Sequence, residues 1–117
     1  MSDQIIDLPE VLERVQDDKG FLAELLDIFQ EDFLKKRAAL GEAIAAKDIA
    51  RIKEVAHSMK GSSGNVSAKR VYASCLDLEK LAKENSTAGM DDLVKVIDVQ
   101  FAEIQGFTAQ FKKDLGG

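Results

Sequence analysis

Tryptophan is absent from this chain of 117 residues, and cysteine, proline and histidine occur once each. A lone cysteine, Cys75, cannot close an internal disulfide, and one cysteine with one histidine cannot make a zinc cluster. Average usage of about 5% would give about six prolines; the chain has one, and only two threonines. Residues that favour turns and strands are therefore scarce. No run of about 18 apolar residues exists, so nothing reads as a membrane span. The opening MSDQIIDLPEV has no basic stretch followed by an apolar core, so it does not read as a signal peptide. Basic residues number 16 against 21 acidic, a formal charge of −5. That balance argues against nucleic acid and against an anionic membrane surface, both of which demand a cationic face. The expectation is a soluble cytoplasmic protein.

What is present favours helix. Apolar residues make up 45% of the chain, enough for one core, and the charged residues alternate with them at helical spacing. The length suits a single domain over residues 1–117, with residues 1–6 frayed. Asp7-Leu8-Pro9-Glu10 combines a capping residue, a proline in the first turn and an acid at the third position, and predicts a short helix to about Gln16. Asp17 to Gly20 predicts a break. A long helix follows from about Phe21 to Ala46, with Leu22, Leu25, Phe29, Leu40, Ala43 and Ile44 on its buried stripe and Lys35-Lys36-Arg37 as a solvated basic run. Lys47-Asp48 makes a tight turn. A third helix runs from about Ile49 towards Ser63 on Ile49, Ile52, Ala56, Met59 and Ser63, and Ser67 reads as the cap of the next. A fourth, about Ala68 to Glu84, buries Val71, Cys75, Leu78 and Ala82. The last, about Met90 to Asp114, carries Leu93, Ile97, Phe101, Ile104, Thr108, Phe111 and Leu115. The expected fold is all-α: an antiparallel up-down four-helix bundle over about 21–115, with a short extra N-terminal helix capping one end.

The one histidine, His57, lies in AHSMKGSSGNVSAKRVYASCLDLE. At about 100° per residue it points roughly 130° away from the centre of its helix's apolar stripe, and so towards solvent. Its neighbours on that face are Lys53 and Glu54 one turn below and Lys60 and Gly61 one turn above, with Ala50 and Gly64 two turns off. Gly61 is informative because a glycine inside a helix costs about 1 kcal/mol relative to alanine. The compensation is space, since a bulky partner can reach the ring past an absent Cβ. An imidazole has a reference pKa near 6.5 and is largely neutral and nucleophilic at pH 7. Cations beside it suit the negative oxygens of a migrating phosphoryl group. Walker, kinase-type and dinucleotide-binding glycine patterns are missing, and Gly61-Ser62-Ser63-Gly64 is too short to cradle a nucleotide. The residues describe an exposed phosphate-carrying histidine whose acid–base machinery and magnesium come from elsewhere.

His57, Met59, Lys60, Gly61, Ser62, Ser63, Asn65, Val66, Ala68, Val71, Cys75, Leu78 and Glu79 together resemble the histidine-containing phosphotransfer (HPt) domain of two-component phosphorelays. Met59 and Val71 stand where leucine is usual, and Ser67 where glycine is common. The resemblance implies a phosphoryl carrier rather than an enzyme. His57 would accept the group from a receiver-domain aspartyl phosphate or a hybrid histidine kinase and pass it to another response-regulator aspartate. Lys60 would stabilise the phosphohistidine, with Lys53 as a second cation, and Gly61 would keep the approach clear. The docking surface would draw on Ala46, Ala50, Ser58 and Gly64, and on Ala38 and Ala39 of the long helix. The chain would bind no metal or cofactor of its own, Mg²⁺ coming with the receiver, and would act as a monomer. The alternative is a helical adaptor that binds a receiver or kinase without being phosphorylated.

Overall fold

The computed structural model of the chain describes residues 5–116. The first three helices each open on a capping aspartate. Asp7 accepts the Glu10 amide at 3.2 Å and starts α1 (Leu8–Arg14), with Pro9 in its first turn. Asp18 accepts the Phe21 amide at 3.0 Å and starts α2 (Lys19–Ala45). Asp48 accepts the Arg51 amide at 3.1 Å and starts α3 (Ile49–Asn65). Each carboxylate satisfies an orphan amide and opposes the positive end of the helix dipole. α4 (Lys69–Lys83) has no side-chain cap, and α5 (Met90–Gly116) carries Asp91 and Asp92 in its first turn.

α2, α3 and α4 end alike. Lys47, Ser67 and Asn85 take φ of +55°, +56° and +55°. Behind each, two backbone bonds close the helix; at α3, Ala68 N–H donates to the Ser63 carbonyl and Ser67 N–H to that of Gly64. This is the Schellman arrangement, in which glycine is favoured at the left-handed residue. Ser67 is therefore not the cap of α4, as the sequence suggested; Ala68 is, and Ser67 holds the left-handed position. The substitution Lys47→Gly tests this strain at an exposed site. Relief of the left-handed penalty outweighs the added chain entropy of glycine and raises stability by about 0.5–1 kcal/mol. The urea midpoint should rise, and a fall would show that the turn holds no strain.

α2 packs on α3, α3 on α4, α4 on α5, and α5 returns to α2, which closes a four-helix bundle. Its core between the long helices is aromatic: Phe33 stacks on Phe101 with ring centroids 4.6 Å apart, and Phe29 lies 5.4 Å from Phe33. α2 and α5 have 27 residues each, whereas α3 and α4 have 17 and 15. The long pair therefore runs past the short pair at one end, where α1 packs on α2.

The structure moves several sequence-based boundaries. Residues 1–4 lie outside the described part, but residues 5 and 6 are not frayed: Ile6 is 2% exposed, Ile5 packs on the core, and Asp7 N–H donates to the Ser67 carbonyl at 2.9 Å. α1 stops at Arg14 rather than Gln16, because Gln16 and Asp17 turn left-handed. α2 starts at Lys19, two residues before Phe21, because Asp18 is its cap. α3 continues through Gly64 to Asn65. On α2 the buried positions include Leu26 and Phe33, while Leu25 and Ile44 are half-buried; on α5 they include Met90 and Val94, while Leu115 is exposed. Only Lys35 of the basic run is simply solvated. Lys36 pairs with Asp32 at 2.6 Å, and Arg37 forks onto Asp98 at 2.7 and 3.1 Å. The Lys36 pair is one helical turn long and follows from periodicity, whereas Arg37 and Asp98 lie 61 residues apart and meet only where α5 packs on α2.

Candidate functional site

Helical periodicity turns residue 57 outward, and α4 then supplies a partner for it. The His57 side chain is 68% exposed, yet its Nδ1 lies 2.9 Å from Glu79 Oε2. Glu79 itself is 4% exposed. The other carboxylate oxygen, Oε1, accepts a bond from Lys60 Nζ at 2.8 Å. The hydrogen bond from Lys60, above all, and the bond to His57 hold the Glu79 carboxyl below the ordinary carboxylate range, although burial acts the other way. Lys60 is correspondingly raised by its bond to Glu79. An ionised carboxylate can only accept, so His57 Nδ1 carries the proton and donates it. In the neutral ring the lone pair is then left on Nε2, at the exposed end.

Gly61, one turn above His57, is exposed, and a Cβ built there would meet nothing within 4 Å. The approach on this side is open. On the other side a concave surface of about 540 Å³ is lined by Ala50, Lys53, Glu54, His57, Glu79 and Lys83. Two cations thus flank it, Lys53 from α3 and Lys83 from α4. Lys60 is less available than its sequence position suggested. Its side chain is 18% exposed, with the ammonium seated on Glu79. Ala46, Ala50 and Ser58 are exposed, Ala38 is exposed, and Ala39 is half-buried. Gly64 lies inside α3, two turns from His57, under the Tyr72 ring. Cys75 is buried, and burial pushes its thiol up to about 12, which leaves it inert at neutral pH.

Two residues escaped the sequence-based site. The sequence places Glu79 in the motif without a role of its own, although it interrupts the apolar stripe of α4, four residues after Cys75 and three before Ala82. A carboxylate at a buried position requires a cationic or donor partner, and this was the available signal. Lys83 follows Glu79 by four residues and carried no signal of its own.

An exposed imidazole, oriented by a buried carboxylate on a bundle with an unobstructed face, defines a histidine-presenting helical domain. Residues 24–111 match the Hpt domain, and the chain belongs to that family. It is 26% identical over 99 residues to histidine-containing phosphotransfer protein 2 of Arabidopsis thaliana, over 80% of this chain and 64% of that protein. The chain thus spans a little under two thirds of that relative's length. Among solved structures it is similar to histidine-containing phosphotransfer protein B from Pseudomonas aeruginosa PAO1. The TM-score is 0.87 at 26% identity, over 96% of this chain and 97% of that one. A rice protein described as a histidine-containing phosphotransfer protein shares the fold, with a TM-score of 0.77 at 21% identity over 99% of this chain and 87% of its own. No helix among the described residues is long and apolar enough to cross a membrane.

Proposed function

We propose that this chain is a phosphorelay intermediate that carries a phosphoryl group on Nε2 of His57. The supporting observation is the pairing of an exposed ring with an occupied Nδ1: Glu79 takes the proton-bearing nitrogen and leaves the nucleophilic one facing outward. In the forward step the Nε2 lone pair forms a bond to phosphorus as the acyl-phosphate oxygen of a receiver's aspartyl phosphate departs as carboxylate. The proton stays on Nδ1, and the positive charge gained by the ring faces the Glu79 carboxylate. Transfer onward to a second receiver's aspartate is the reverse. Lys60 keeps Glu79 ionised, while Lys53 and Lys83 line the cavity beside the ring and are the cations with access to the phosphoryl oxygens. The partners are receiver domains of response regulators and a hybrid histidine kinase, with Mg²⁺ and the acidic residues on the receiver's side. A cytoplasmic monomer is the form in which the relay would work.

The test is to mix the protein with a phosphorylated receiver and Mg²⁺ and follow the label. Acid-labile, base-stable label on this chain supports the carrier, whereas receiver binding without any label supports the adaptor. The same assay reads the clearance at Gly61. Gly61→Gln keeps or improves helicity, since glycine is the poorer helix former by about 1 kcal/mol. It should nevertheless slow transfer from a receiver about tenfold or more. An unchanged rate would remove Gly61 from the approach path.

A further inference from the structure

The groove between α3 and α4 repeats itself. Gly64 follows His57 by seven residues and Tyr72 precedes Glu79 by seven. In antiparallel helices the Gly64–Tyr72 pair therefore takes the place of the His57–Glu79 pair two turns further along, about 10 Å away at 1.5 Å per residue. A Cβ on Gly64 would lie 3.5 Å from the Tyr72 ring, so the aromatic rests over backbone that carries no side chain. Tyr72 is among the few large apolar side chains left exposed, at 39%. Beside it opens a pocket of about 370 Å³ whose far wall is α1. α1 is pinned there from three sides. Arg14 donates to the Gly64 carbonyl at 2.6 Å, Lys69 bridges Asp7 and Glu10 at 3.0 and 2.6 Å, and Asp7 N–H donates to the Ser67 carbonyl. α1 precedes residue 24, where the match to the Hpt domain begins, so this wall stands outside the matched bundle.

We propose that α1, Gly64 and Tyr72 form the part of the receiver-docking surface that selects which receiver reaches His57. The inference rests on the carrier reading above and gives it a specificity determinant. A protein interface of ordinary size covers about 800 Å² per partner, a patch about 30 Å across. A receiver centred on His57 therefore extends about 15 Å each way and must lie over the Tyr72 seat. Reacting chemistry at the aspartate is shared by all receivers, so discrimination between them has to come from ground away from the phosphoryl group. A half-exposed tyrosine whose Cδ2–Cε2 edge packs against a glycine is an aromatic anchor of the kind that dominates such contacts, because a side chain with two χ angles orders little on binding. The fitting receiver places an apolar side chain against the ring and into the pocket before α1.

The experiment separates docking from chemistry. Phosphoramidate, a donor too small to touch Tyr72, labels His57 directly; the labelled protein is then offered to a panel of isolated receiver domains with Mg²⁺. For Tyr72→Ala the phosphoramidate labelling rate stays within twofold of wild type. Transfer kcat/KM to the preferred receiver falls at least tenfold, mainly through KM, and the ranking of receivers flattens; Tyr72→Phe restores both. Unchanged rates and ranking in Tyr72→Ala overturn the proposal. Should Tyr72→Ala lose helical signal, Gly64→Gln decides by the same two criteria, since it sets a long side chain beside the Tyr72 ring on the docking face at a helical position where a Cβ fits at ordinary contact distance. A wild-type protein that takes no label from phosphoramidate refutes the carrier reading itself, and this proposal with it.

Discussion

His57→Gln should reduce phosphoryl acceptance to background while leaving the fold intact. An amide nitrogen has its lone pair delocalised into the carbonyl and cannot attack phosphorus, whereas Nε2 of the imidazole can. The substitution is mild structurally because the ring is 68% exposed. Little apolar surface is lost, and the glutamine amide can donate to Glu79 in place of Nδ1. Lys60 still neutralises the buried carboxylate at 2.8 Å. Stability should therefore stay within about 0.5 kcal/mol of wild type, as for other exposed positions. The measurement is label transfer from a phosphorylated receiver with Mg²⁺, alongside a urea melt. Acid-labile label on the variant would show that a different atom carries the group.

The outward aim of His57 was legible because it needs only the period of one helix. The same holds for the buried stripes of α3 and α4, where Ile52, Ala56, Met59, Val71, Cys75 and Leu78 are all buried. Gly61 was legible because its cost within a helix has no structural return. What needed coordinates was everything set by how two helices register. Glu79 lies 22 residues from His57 and 19 from Lys60, and only the antiparallel packing of α3 on α4 brings all three together. The direction of Lys60 followed from that register too: its spacing from His57 is local, but the acceptor that draws it inward is not. Ser67 shows a different limit. A serine before a helix reads as a cap, yet here the backbone bonds ending α3 take precedence and force the left-handed conformation. Position alone puts residues 5 and 6 in a frayed end. Their burial depends on how α1 docks, against α2 and through Asp7 N–H on the Ser67 carbonyl, a long-range arrangement that no local pattern announces.

Glu79→Ala should slow phosphoryl transfer by about 10- to 100-fold without removing the nucleophile. Losing one charge-assisted hydrogen bond is worth about 1.5–3 kcal/mol, and each 1.4 kcal/mol in the barrier is about tenfold in rate. Two effects combine. The proton is no longer held on Nδ1, so part of the ring population carries it on Nε2, where it blocks attack. The positive charge that the ring gains with the phosphoryl group also loses the carboxylate facing it. Nitrogen-15 NMR reads the first effect directly: wild type should show the Nδ1-protonated tautomer and Glu79→Ala a mixture. Glu79→Gln separates the two, because an amide oxygen still accepts from Nδ1 but brings no charge; its rate should fall between wild type and alanine with the tautomer preserved. An unchanged tautomer balance in Glu79→Ala would reduce Glu79 to a structural anchor for Lys60. The pH dependence has a defined sign. Lys60 first, and His57 after it, lower the Glu79 carboxyl in the folded state. Its contribution to stability is therefore fully present above the ordinary carboxylate value near 4.5 and is lost as pH falls through the lowered folded value. Between about 4.5 and the lowered folded value, the loss of stability with falling pH should accordingly be shallower in Glu79→Gln than in wild type, because the variant has no such carboxylate to protonate.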